Sequence, residues 1–81
     1  PNHSQAYHNR GFSFFKLGDN YAAISNYNTA IKIGSSEDVI SYANRGISKE
    51  KIGDMKGACS DWRKASSLGI KETGKLSQNL L

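Results

Sequence analysis

Few of the 81 side chains are of types that carry covalent or metal chemistry, and their spacing argues against it. His3 and His8 stand five residues apart, the single cysteine is Cys59, and no HExxH or CxxC pairing is present, so both histidines read as surface or groove residues rather than metal ligands. Cys59 follows Ala58 within a helical pattern, where a small buried hydrophobe is the expected role and a reactive thiol the lesser one. No glycine-rich phosphate loop is present, because the glycines do not fall into GxGxxG or GxxxxGK[ST]. Of the seven carboxylates, Asp19, Glu37, Asp38 and Asp54 sit in turns or at helix starts, where capping accounts for them. This inventory predicts a protein that is not an enzyme and needs no cofactor.

The surrounding chain has the composition of a folded domain, with 37% apolar and 22% charged residues. Its longest apolar run, Tyr21 to Ile24, is far short of the roughly 20 residues that cross a bilayer, so no membrane span is expected. One cysteine excludes an internal disulfide, and a chain this short must then be held by helix packing or by a neighbour. Opening on Pro1, it reads as a segment of a longer protein. The net charge of +4 is uneven: residues 1–38 balance, and the whole excess lies in residues 39–81.

Sliding the chain against itself by 35 residues exposes its organisation. His8-Asn9-Arg10-Gly11 lies over Ala43-Asn44-Arg45-Gly46, and Lys16-Leu17-Gly18-Asp19 lies over Lys51-Ile52-Gly53-Asp54. Thirteen of 32 aligned positions are identical, where unrelated sequences would share about two. Within each copy the apolar positions follow a helical period: in the first, Tyr7, Gly11, Phe14, Phe15 and Leu17, then Ala23, Ile24, Tyr27, Ala30 and Ile31. Gly18-Asp19 interrupts them, with glycine suited to ending a helix and Asp19 or Asn20 to capping the next. The second copy is expected to start at Ser35 or Ser36, turn at Gly53-Asp54, and continue from Met55 to about Leu68.

These residues resemble the tetratricopeptide repeat. Tyr7, Gly11, Phe14, Ala23, Tyr27 and Ala30 match its pattern in the first copy, and Tyr42, Gly46, Ala58, Trp62 and Ala65 in the second. Departures are Arg10 and Arg45 in place of leucine, Lys49 in place of an aromatic, and Ser35 and Ile70 in place of the closing proline. The resemblance implies an all-α fold, a right-handed superhelical stack of antiparallel helical hairpins. Repeat 1 would cover about 4–37, repeat 2 about 38–70, and a capping helix about 71–81. Gly11 and Gly46 would allow the paired helices to approach, Ala23 and Ala58 would fill the crossing, and Tyr27 and Trp62 would plug the space between hairpins.

The family holds an extended peptide or a partner's helix along its first helices. Helical spacing turns Tyr7, Arg10, Gly11 and Phe14 toward the second helix and leaves His8, Asn9, Phe12, Phe15 and Lys16 on other faces. The candidate peptide-binding groove is therefore His8, Asn9, Phe12 and Lys16 from the first copy, with Asn44, Ile47 and Lys51 from the second. An asparagine amide offers donors and an acceptor to a peptide backbone, and Lys16 and Lys51 would complement an acidic ligand. Packing of Phe12 and Ile47 against a neighbouring hairpin, and local bonding of the asparagines, stand as alternatives. The family's carboxylate clamp is not expected, since its positions hold His8, Phe12, Ala43 and Ile47. The partner is thus expected to be a protein or peptide and not a small molecule. Nucleic acid is disfavoured because the basic residues do not alternate with exposed aromatics. Two repeats are fewer than the roughly three that usually stand alone, so homodimerisation or stacking on further repeats is a competing expectation.

Overall fold

The structure, a computed structural model, describes residues 3–34 and 38–80, with side chains described for 3–34 and 38–69. It is helical, and among the described residues no strand forms. The helices are α1 (His3–Lys16), α2 (Asn20–Ile33), α3 (Val39–Lys51) and α4 (Met55–Leu80). α1 packs on α2, α3 on α4, and α2 on α3, while α1 and α3 touch only briefly. No helix is long and apolar enough to cross a membrane among the described residues.

The two copies of Lys-Leu/Ile-Gly-Asp build the same turn. Gly18 and Gly53 take φ values of 86° and 90°, the left-handed conformation that glycine adopts without a Cβ clash. Backbone bonds then close the helix ends, from Asp19 N to the Phe14 carbonyl at 2.9 Å and from Asp54 N to the Lys49 carbonyl at 2.8 Å. Each aspartate next caps the following helix, accepting from Ala22 N at 3.1 Å and from Gly57 N at 2.9 Å. Of the two expected caps for α2, Asp19 is the one used.

Close helix approach follows from small residues. Ala23, Ala30 and Ala58 are fully buried. A Cβ on Gly11 would lie 2.8 Å from Tyr27 Cε1, and one on Gly46 would lie 2.5 Å from Trp62 Nε1. Each aromatic therefore seats on the glycine of its own hairpin, rather than only plugging the space between hairpins as the sequence suggests. Ser4 adds a clip from α1 to α2, donating its hydroxyl to the Ala30 carbonyl at 3.0 Å.

Two expectations are corrected. α3 begins at Val39 with Asp38 as its cap, its side chain accepting from Ser41 N at 3.1 Å, and not at Ser35 or Ser36. Ser35, Ser36 and Glu37, with the capping role assigned to Glu37, lie outside the described residues. Residues 71–80 do not form a separate helix but continue α4 without a break. No Gly-Asp pair or proline stops the helix after Leu68, and an interior glycine costs only about 1 kcal/mol relative to alanine. Their side chains and Leu81 lie outside the described residues, and with them the proposed capping contacts.

Candidate functional site

The seven groove residues fall into two environments. On α1, Asn9, Phe12 and Lys16 are exposed at i, i+3 and i+7, one face of the helix. Phe12 is 43% exposed, and its ring stacks on the half-buried Phe15 with centroids 6.2 Å apart. The Lys16 ammonium lies 5.4 Å from the Phe12 centroid, within cation–π range. Asn9 accepts from Gln5 Nε2 at 3.4 Å, a weak bond along its own helix. These residues form an open apolar platform with a cation on its edge.

On α3, Lys51 is exposed but Asn44 and Ile47 are half-buried. Asn44 stands beside the Tyr27 hydroxyl, which is buried and makes no hydrogen bond of good geometry. Burial pushes the Tyr27 phenol above its ordinary value, and the Asn44 amide opposes that rise. The two asparagines that align in sequence thus occupy unlike sites, because α2 of the first hairpin packs on α3, whereas among the described residues no such helix packs on the Asn9 face of α1.

His8 belongs to the seam between hairpins. Its ring lies 5.5 Å from Tyr27, and its Nδ1 is 2.9 Å from Ser41 Oγ. Ser41 gives its only hydroxyl proton to Asp38 Oδ2 at 2.6 Å, so His8 is the donor to Ser41 and Nδ1 carries a proton. The residue types are those of a nucleophilic triad, yet the order is wrong. A catalytic serine gives its proton to the histidine, whereas here Ser41 is fully buried and gives it to the aspartate. The array ties α1 to the start of α3.

A second polar cluster went unread in the sequence. Asp61 on α4 is 3% exposed and accepts from Arg45 Nε at 2.8 Å and Nη2 at 2.7 Å, with Lys49 Nζ at 3.2 Å. Burial pushes the Asp61 carboxyl up, but the bonds and charges of Arg45 and Lys49 outweigh it and hold it below the ordinary carboxylate range. The Asp61 bond, opposed by burial, raises Arg45 in turn. Arg45 also donates from Nη1 to Asn28 of α2 at 2.9 Å and lies over the Tyr42 ring at 5.3 Å. The signal for this cluster was present as the two departures Arg45 and Lys49, each needing an acid that only the second copy supplies, since Asp61 replaces Asn26.

Two further placements differ from expectation. Arg10 does not turn into its hairpin but is exposed, over the Tyr7 ring at 5.6 Å. Cys59 is half-buried rather than buried. Among the described residues, no group of three or more histidine, cysteine or acidic side chains could hold a metal ion. No protein-family model matches the chain, and no curated protein matches it.

Proposed function

We propose that this chain is a tetratricopeptide-type scaffold, not an enzyme, whose hairpins stack in a right-handed superhelix and hold a peptide or protein segment along α1 and α3. The observation that supports it most is the exposed Phe12–Phe15 platform with Lys16 at its edge. The Phe12 ring, left largely open to water above the half-buried Phe15, gains by burial when an apolar side chain covers it. Lys16 and Lys51 favour an acidic residue beside that apolar one. Asn9 offers an amide to the peptide backbone, while Asn44 and His8 act chiefly in holding the hairpins together.

Selection of displayed peptides on the 81-residue chain tests this reading. Recovered peptides should carry an apolar residue next to Asp or Glu, and Phe12→Ser with Lys16→Glu should abolish their binding while leaving the melting temperature within a few degrees. Asn9→Ala should weaken binding by about 1 kcal/mol. Peptides that bind this double variant unchanged would refute the platform as the site. Self-association is the second reading, and sedimentation over a concentration series distinguishes it.

A further inference from the structure

Each of the three arginines stands three residues before a serine, in Arg10-Gly11-Phe12-Ser13, Arg45-Gly46-Ile47-Ser48 and Arg63-Lys64-Ala65-Ser66. The fold sorts these serines. Ser48 is fully buried and its arginine is held by Asp61, so neither is open to another protein. Ser66 is exposed, but on α4, a helix outside the groove. Ser13 is exposed on α1, with Arg10 exposed one turn before it and Lys16 exposed one turn after it. Among the described residues no ion pair joins either cation to a carboxylate: Arg10 lies over the Tyr7 ring and Lys16 over Phe12. The arc from Arg10 to Lys16 thus holds two positive charges and no negative one.

An arginine three residues before a hydroxyl is a charge pattern that basophilic protein kinases read through their own carboxylates. We propose that Ser13 is a phosphorylation site, modified by a kinase that selects Arg10, and that its phosphate draws Lys16 off the Phe12 ring and closes the platform to acidic peptides. The regulatory half rests on the platform reading above; the site itself does not.

In the transfer, Ser13 Oγ bonds to the γ-phosphorus of ATP, the bond from that phosphorus to the bridging oxygen breaks, ADP leaves with the electron pair, and the hydroxyl proton passes to the kinase's base. The product sets close to two negative charges and three acceptor oxygens beside Arg10 and Lys16. That charge repels the Asp or Glu of a ligand. It also opposes the helix dipole in the last turn of α1, which the two cations offset. α1 is the helix easiest to open for such an enzyme, because it packs on α2 and only briefly on α3, whereas α3 is held by both α2 and α4.

The full 81-residue chain bearing Ser66→Ala and Ser67→Ala is incubated with ATP and the catalytic subunit of a kinase that selects arginine at that spacing, and the product is mapped by fragmentation mass spectrometry. One phosphate is expected, on Ser13, with Arg10→Ala lowering the initial rate at least about tenfold. Ser13 left unmodified, or a rate indifferent to Arg10→Ala, overturns the site. The phosphorylated chain should then bind the acidic peptides selected on the unmodified one at least about tenfold more weakly, while Ser13→Ala binds them as before. Equal binding overturns the regulatory half. If selection yields no peptide, the platform reading fails by itself, and ³¹P NMR decides whether the phosphate engages its neighbours. Its second ionisation should then fall below the value of about 6 of an isolated phosphoserine and return there in Arg10→Gln with Lys16→Gln. A titration that the double variant leaves unmoved overturns the engagement.

Discussion

Arg45 on α3 grips Asp61 on α4 through two hydrogen bonds, 2.8 Å from Nε and 2.7 Å from Nη2, and its Nη1 reaches Asn28 on α2 at 2.9 Å. One guanidinium thus joins both helices of the second hairpin to the first. Its planar fork suits this, since two donors lie along the carboxylate and a third points away from it. The Asp61 side chain is 4% exposed and that of Arg45 17%, so loss of either partner strands a charge in a poorly solvated place.

Asp61→Ala should therefore destabilise the fold by about 3 kcal/mol, whereas Asn28→Ala, at an exposed position, should cost less than about 1 kcal/mol. Urea unfolding of the two variants measures the ordering. Equal costs would mean that the pair is not the anchor of the seam.

The same pair predicts an acid dependence. Asp61 is held below its ordinary value in the folded chain, so as pH falls the unfolded chain takes up its proton first, near pH 3.9. Its stabilisation is complete above that pH and is lost as pH drops toward the lower folded value. Melting temperatures from pH 7 down to 2.5 should fall less steeply below pH 4 for Asp61→Asn than for the unaltered chain. Parallel curves would contradict the assignment.

Three glycines should respond in opposite directions. At Gly46 a Cβ would meet Trp62 at 2.5 Å, and at Gly11 it would meet Tyr27 at 2.8 Å, so alanine at either site forces the ring away. Overpacking should exceed the roughly 1 kcal/mol gained in helix propensity, leaving a net loss of about 1 kcal/mol, with a shifted Trp62 emission for Gly46→Ala. Gly69 lies inside α4 with nothing within 4 Å of a Cβ, and Gly69→Ala should stabilise by up to about 1 kcal/mol. Thermal melts of the three variants check both signs.

The helix caps are not equivalent. Asp19 accepts one backbone bond, from Ala22 N, and Asp19→Ala should cost about 1 kcal/mol. Asp38 accepts from both Ser41 N and Ser41 Oγ and so orients the hydroxyl that receives the His8 proton. Asp38→Ala should cost about 2 kcal/mol. In a double-mutant cycle His8→Ala and Asp38→Ala should couple by at least about 0.5 kcal/mol, and strict additivity would show that the relay carries no energy.

Much of this molecule is local and was legible as such. The 35-residue repeat, the helical periods, the Gly-Asp turns and the glycine–aromatic crossings are each set by residues close in sequence or by one hairpin's own two helices, so the pattern of side chains carries them. The separate helix expected over 71–81 failed for a local reason too, because no residue after Leu68 is strong enough to end α4. What the sequence alone could not decide is the relation between hairpins. Asn9 and Asn44 are the same letter at the same repeat position, as are Arg10 and Arg45, yet one of each pair is exposed and the other is half-buried in the seam. Burial there depends on what packs on the helix: α2 lies on α3 and Asp61 of α4 holds Arg45, whereas the hairpin of Arg10 has Asn26 at the matching position. Asp61 likewise became an anchor only once Arg45, sixteen residues away, was brought against it and the surrounding helices excluded water. The sequence by itself determined two hairpins; the tertiary structure decided which of their matching faces is a seam and which is a surface, because desolvation is a property of the assembled neighbours and not of the residue.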